Sequence, residues 1–307
     1  MPDALAIGID IGGTRSKLGL VDLAAGKVLA MQVTPTEKHD AQRFMAGLHA
    51  AIGQLQAEAQ RLSRPLLGVG VGVTGFVFAD GTVDSTYGFL PFMEDFPLAR
   101  LITEHSGLPC RADNDARVVA LGEARYGAGR GFDRVLVLTL GTGLGLGLVA
   151  GGSFDSPLAY GHMGGHLRVR ATDFECYCGR RGCLESLVSA SALVAAAERA
   201  GWTQALDAEA IVSAARRGDA LAAALVETLL ADLRLGLDLY TTLYAPDVVV
   251  LGGGLAKGLT DGLAPDLARL AAPAGFLKPY KHYRCELRLA ALDEQGGVLG
   301  AAALLGL

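Results

Sequence analysis

The segment Asp10-Ile-Gly-Gly-Thr14-Arg-Ser-Lys17 sets a carboxylate ahead of two residues without side chains, then a hydroxyl and an ammonium. In a turn of this kind the backbone N–H groups of Gly12 and Gly13 can face a phosphate. Asp10 can hold a hydrated Mg²⁺, Thr14 can donate to a phosphate oxygen, and Lys17 adds positive charge. Leu140-Gly141-Thr142-Gly143 offers a second cradle of the same kind, and Leu251-Gly252-Gly253-Gly254 offers bare backbone for a nucleotide at a helix start. Any one of these loops is explained by a tight turn that needs positive φ. Three of them, each after an apolar run, point to a nucleotide.

Two other nucleotide motifs do not fit. A Walker A loop needs Gly-x₄-Gly-Lys-Ser/Thr, and the only Gly-Lys pair, Gly26-Lys27, lacks both the first glycine and the hydroxyl. Gly70, Gly72 and Gly75 spell Gly-x-Gly-x-x-Gly, but the strand-like FVFADGTV follows where a dinucleotide fingerprint requires a helix.

Two further groups carry reactive side chains. Asp113-Asn114-Asp115 is the general-base candidate, because an ionised carboxylate can accept the proton of an attacking hydroxyl. The same residue types cap helices, and a helix N-terminus also keeps a carboxylate ionised. His166, Cys176, Cys178 and Cys183 supply one imidazole and three sulfurs, a complete tetrahedral set for structural Zn²⁺. The alternatives are a redox-active thiol cluster or an unrelated core histidine, with His162 as the weaker ligand candidate. Cys110 and Cys285 are expected to be core thiols.

The elements that must position these residues are strands alternating with helices. AIGIDIGGTRSKLGLVD and VLVLTLGTGLGLGLVAG each suggest two strands joined at a glycine turn. At a shift of 128 residues Gly13/Gly141, Thr14/Thr142, Leu18/Leu146, Gly19/Gly147, Leu20/Leu148 and Val21/Val149 coincide, which suggests an internal duplication, although glycine-rich hairpins can match by composition. Helical spacing runs over 40–63, a strand is expected at 66–73, and a short helix near 97–105. Another helix opens at 113–115, fed by a loop. Helices then span 189–244, the strand VVVLGGG precedes a helix to about 272, and EQGGVLGAAALL closes the chain. This order indicates a layered α/β protein.

Composition narrows the class. A chain of 307 residues suggests about two domains. With 27 Lys+Arg against 32 Asp+Glu, the net charge of −5 leaves no broad basic surface for nucleic acid. There is no signal-peptide pattern at the N-terminus and no uninterrupted apolar stretch of membrane-spanning length, so a cytoplasmic protein is expected. Five cysteines, three in one short stretch, fit a reducing compartment and a metal.

From Ile7 to Leu305 the sequence resembles the ROK family of bacterial sugar kinases and repressors, in its glucokinase-like form. The matching pieces are DIGGTRSK at 10–17, GVGVTG at 70–75, NDA at 114–116, GTG at 141–143, GH at 165–166, CYCGRRGCLE at 176–185 and LGGG at 251–254. The resemblance implies an actin-like ATPase fold: two ribonuclease-H-like lobes flanking a cleft, residues 1–118 with the closing helix 294–307 in one and 119–293 with the zinc loop in the other. It also implies Mg²⁺ and ATP on the glycine loops. The sugar would meet Gly75, Asn114, Asp115, His166 and Glu185, with Asp115 the catalytic base and His166 also a zinc ligand. By analogy the protein is expected to be a homo-oligomer, dimer or tetramer.

One position departs from the family pattern: Met163 stands where a glutamate usually precedes the zinc-binding histidine by three residues, and a thioether accepts hydrogen bonds poorly. The helix-turn-helix that many members carry ahead of the DIGGT-like strand is not found here. ATP-dependent phosphorylation of a hexose or hexose-like sugar on its primary hydroxyl is therefore the expected activity. The alternative is a sugar-sensing regulator or degenerate kinase that transfers no phosphate.

Overall fold

The computed structural model describes residues 4–85, 90–259 and 283–307. The chain forms two compact units. One contains Met1–Asp133, Gly147–His162 and Ala291–Leu307, the other Arg134–Leu146 and Met163–Ala290.

The first unit is built on a five-stranded sheet in the order β3-β2-β1-β4-β7. Its strands are β1 (Leu5–Ile11), β2 (Arg15–Asp22), β3 (Lys27–Pro35), β4 (Leu66–Val73) and β7 (Cys110–Asn114). The first three form an antiparallel meander, and β4 and β7 add in parallel. Being central, β1 is buried on both faces and reads as a near-continuous apolar run. The edge strand β3 alternates between exposed and half-buried positions. The short strands β5 (Phe76–Val77) and β6 (Val83–Asp84) pair with each other.

One face of this sheet packs on helix α1 (Ala41–Arg61), whose Phe44, Leu48, Ile52 and Leu55 join Ile7, Ile9 and Val71 in one apolar cluster with α2 (Leu98–Ser106). Asp40 caps α1 by accepting from the Arg43 N–H. Against the other face lie α3 (Asp115–Tyr126) and α9 (Gly296–Ala303). The approach there is backbone to backbone. A Cβ on Gly8 would overlap the Val298 carbonyl, one on Gly70 the Ala301 carbonyl, and one on Gly300 the Val118 carbonyl. The segment leading into α9 is anchored by the buried Glu123, whose carboxylate accepts from the N–H groups of Ala128, Ala291 and Leu292 at 2.8–3.1 Å.

A second five-stranded sheet has the order β10-β9-β8-β11-β12. Its strands are β8 (Arg134–Leu140), β9 (Leu144–Ala150), β10 (Ser153–Phe154), β11 (Val248–Gly252) and β12 (Glu286–Leu289). Read through their chain order, the two sheets repeat one topology, and the turns at 12–14 and 141–143 occupy equivalent places after β1 and β8. The chain passes from the second unit to the first within β9. Between β10 and β11 come α4 (Glu185–Val188), α5 (Ala190–Arg199), α6 (Ala208–Arg216) and α7 (Ala220–Tyr244).

Several elements differ from the sequence expectation. Residues 110–114 are strand β7, not a loop, and the next helix begins at Asp115 because Asn114 is its N-cap. Strand β3, with its mixed KVLAMQVTP pattern, was not anticipated. The helical run after 189 is broken where Asp207 and Asp219 each cap a new helix. Helix α8 opens at 254 and is described to 259. The rest of its expected span, to about 272, lies outside the described residues. Cys110 and Cys285 are half-buried, and Cys110 packs against the apolar cluster of the first unit. No helix among the described residues is long and apolar enough to cross a membrane.

The packing on α9 separates two kinds of glycine. Gly300→Ala should destabilise the protein by about 1–3 kcal/mol, the usual cost of overpacking. Gly53→Ala, on the exposed face of α1 with nothing within 4 Å of an added Cβ, should stabilise it by about 0.5–1 kcal/mol. Urea denaturation of both variants checks this contrast.

Candidate functional site

In the first unit, Asp10 lies at the C-terminal end of β1, Asp113 at that of β7 with Asp115 just after it, and Thr74 directly follows β4. Asp10 lies opposite Lys17 on one side and Gly72 on the other. Its carboxyl is pushed up from 3.8 to about 6, first by burial and then by the negative charge of Asp115, with Lys17 opposing. Lys17 in turn pairs with Glu294 at 3.1 Å. Two buried carboxyls, one raised by the charge of the other, form a donor set suited to a hard cation.

Asp115 is the first residue of α3. Its Oδ2 accepts from the Thr74 hydroxyl at 2.9 Å and its Oδ1 from the Ala116 N–H at 2.9 Å. Burial raises its pKa, and these hydrogen bonds oppose the rise. Asp113 is differently placed: its two oxygens accept from Arg117 Nε at 2.7 Å and Nη2 at 3.3 Å, and the Arg117 guanidinium also lies over the Phe154 ring. Of the two aspartates, Asp115 has no cation among its described partners.

Asn114 Oδ1 caps α3 at the N–H groups of Ala116 and Arg117, and its Nδ2 donates to the Gly75 carbonyl at 3.1 Å. The Asn114 side chain also hydrogen-bonds the Asp115 carboxylate. Gly75 has φ +111°, and a Cβ there would overlap the Asp84 carbonyl, so the fold itself demands glycine. The turn holding Gly12, Gly13 and Thr14 is braced by Thr36, whose hydroxyl donates to the Gly12 carbonyl at 2.8 Å and whose N–H donates to Thr14. Thr36 and Thr74 were missed from sequence. Thr74 sits inside GVGVTG and could have been found there; nothing marks Thr36.

In the second unit, Gly141 and Gly254 have neither a positive φ nor a neighbour within 4 Å of an added Cβ. Packing does not require glycine at either position, so these stretches of bare backbone suit a phosphate or nucleotide. The other glycines there serve the fold. Gly253 has φ +89° and backs onto Leu140, Gly252 faces Ala290, and Gly143 leaves room for the Glu185 carboxylate. Thr142 lies between Gly141 and Gly143 in the β8–β9 turn.

The second unit also holds the sulfur cluster. The ligand atoms of His166, Cys176, Cys178 and Cys183 all lie within 4.8 Å of one another. His166 Nδ1 is 3.4 Å from Cys176 Sγ, and the Cys178 and Cys183 sulfurs are 3.7 Å apart. A tetrahedral zinc site has S···S edges of about 3.75 Å and N···S edges of about 3.5 Å, so the set fits zinc. His162 is not in the cluster and packs against Phe76.

Glu185 opens α4 beside this cluster. Its Oε1 accepts from the Leu144 N–H at 3.3 Å and its Oε2 lies 3.4 Å from His166 Nδ1. Burial raises its pKa, opposed by that N–H and by Tyr177. Met163 begins the single 3-10 turn that ends at His166, and the Tyr240 hydroxyl donates to Gly164 within that turn at 2.8 Å.

A family model for ROK proteins matches residues 6–306. The chain belongs to the ROK family. It is 30% identical to a glucokinase of Halalkalibacterium halodurans, over 99% of this chain and 96% of that protein. Among solved structures, the ROK hexokinase of Thermus thermophilus is 31% identical, with 97% of each chain covered and a TM-score of 0.83. A ROK glucokinase from Streptomyces griseus, solved with glucose and AMPPNP, is 29% identical, with 98% of each chain covered and a TM-score of 0.78. The ROK architecture is the actin-like ATPase fold, which accounts for the repeated sheet topology.

Two outcomes follow from these sites. Because the folded-state pKa of Asp10 exceeds its usual value, the folded protein holds the extra proton between 3.8 and about 6. Stability contributed by this group therefore falls as pH rises through that window and stays low above it. Asp10→Asn should stabilise the ligand-free protein at pH 7 by up to about 3 kcal/mol, with the gain vanishing below pH 4, as read by denaturation across pH. Elemental analysis of the wild type should return about one zinc per chain. Cys178→Ser should lower that content and speed hydrogen exchange over residues 163–185.

Proposed function

We propose that this ROK protein is an ATP-dependent sugar kinase that phosphorylates the primary hydroxyl of a hexose or hexose-like sugar, with Asp115 as the general base. The observation that carries the reading is the contrast between the two neighbouring aspartates. Asp113 is held by the Arg117 fork, while Asp115 is oriented by the neutral groups of Thr74, Asn114 and the start of α3. A base needs a lone pair that no cation occupies, and burial that raises its pKa makes it a better proton acceptor while the helix N-terminus keeps it ionised.

In the proposed reaction, Asp115 takes the hydroxyl proton as the sugar oxygen bonds to the γ-phosphorus of ATP. The bond from that phosphorus to the bridging oxygen breaks, and ADP leaves. Thr74 orients the carboxylate. Gly13 and Thr14, with Thr142 and Gly143, would offer N–H and hydroxyl donors to the phosphates, while Gly12 and Gly141 close these turns by donating their N–H groups to the Arg15 and Gly143 carbonyls; Lys17 would add positive charge, and Gly252, Gly253 and Gly254 would lie against the nucleotide. Asp10 would hold Mg²⁺, which when bound neutralises charge on the phosphates. Asn114, Glu185, His166 and the backbone beside Gly75 would bind sugar hydroxyls. Zinc on His166, Cys176, Cys178 and Cys183 would be structural, because four protein ligands fill its shell.

Met163 favours a second reading, a sugar-sensing regulator without phosphoryl transfer, since it offers no carboxylate to a sugar hydroxyl. A coupled ADP-release assay over hexoses, N-acetylhexosamines, ketoses and cyclitols separates the two: turnover on at least one sugar is expected, and none on any would favour the sensor. In the same assay Asp115→Asn should lower turnover roughly 10²–10⁴-fold, with sugar affinity by calorimetry kept within severalfold. Near-normal turnover would remove Asp115 as the base.

A further inference from the structure

The zinc loop holds one exposed aromatic side chain that the proposed reaction does not use. Tyr177 sits between two of the cysteine ligands, and 66% of it is exposed. Its hydroxyl nevertheless lies 3.1 Å from His166 Nε2, the ring nitrogen other than the one facing Cys176, with the two rings edge to face at 5.1 Å. The same hydroxyl interacts with the Glu185 carboxyl.

With Nδ1 committed to the sulfur cluster, Nε2 carries the imidazole proton and donates it to the Tyr177 oxygen. The phenol donates in turn to the carboxylate. The two groups thus form a position that accepts a hydroxyl able to receive one hydrogen bond and give another. A sugar hydroxyl has that capacity.

We propose that Tyr177 gates this position: its phenolic oxygen stands in for a sugar hydroxyl in the free protein and yields to the substrate. The inference rests on the sugar-kinase reading above, and it adds a residue that sets apparent sugar affinity by competition. The exposed ring makes departure inexpensive, because little apolar surface is buried by staying. An incoming hydroxyl restores both hydrogen bonds, so neither His166 nor Glu185 is left unpaired. Tyr177 is therefore a competitor of the substrate and not a catalytic residue.

Zinc-loaded wild type and Tyr177→Phe are compared, using whichever hexose the wild type phosphorylates, glucose being tested first. Removing the phenolic oxygen should lower both KM and the calorimetric Kd for the sugar by about threefold to tenfold, the worth of one net hydrogen bond, while kcat stays within about twofold. In the wild type, nitration of Tyr177 by tetranitromethane, read by peptide mass, should rise when the sugar is added. A KM and Kd that are unchanged or higher in Tyr177→Phe, or a Tyr177 protected from nitration by sugar, would overturn the gate while leaving the kinase reading intact. Absence of wild-type turnover on every sugar tested would remove both. Equal zinc content in the two proteins establishes that the comparison concerns the hydroxyl alone.

Discussion

Where α9 crosses β1, β4 and α3, main chain meets main chain, and the glycines at 8, 70 and 300 are what permit it. Adding one methyl group at any of them would push a helix off the sheet or off its neighbour. That close approach is the constraint on which the first unit depends, since the same elements end in the groups that carry the chemistry. Asp10 closes β1 against Gly297, where a Cβ would again crowd the carboxyl, and Asp115 opens α3 directly after β7. Glu123 tightens the arrangement by taking the N–H groups of the segment that enters α9.

Packing of this kind has an electrostatic cost. It buries two carboxyls, with the charge of Asp115 opposing the ionisation of Asp10 and Lys17 shared with Glu294. A fold selected for stability alone would pair or remove such groups. Their retention makes sense when a metal and a highly charged phosphate chain complete the charge balance, the kind of local conflict that marks a functional site.

The second unit solves a different problem, holding an imidazole and a carboxylate in a loop with little apolar core of its own. Gly179 and Gly182, both at positive φ, turn the chain so that three sulfurs and one ring nitrogen converge. The bidentate pair of Arg170 with Asp232 at 2.7 and 2.9 Å ties the loop to α7. A metal there would act through His166: committing one ring nitrogen would fix the tautomer at the other, and so what the loop offers to a hydroxyl.

Much of this was legible in the sequence where the signal is local. Glycine runs after apolar strands marked the turns at 12–14 and 141–143, the shift of 128 residues foreshadowed the repeated sheet order, and cysteine spacing marked the cluster with His166. What could not be read was set by groups far apart in the chain. Strand β7 has weak propensity and is a strand because β4 lies beside it, and no spacing rule connects Thr74 to Asp115 or Thr36 to Gly12. Residue types alone do not separate Asp113 from Asp115, which only the family resemblance singled out, and no spacing rule says that the Arg117 fork reaches Asp113. The amino-acid sequence by itself determined which residue types are present and the local turns that bare backbone allows. Tertiary structure alone decided which charge is paired and which glycine is spare, because both depend on distances across the fold.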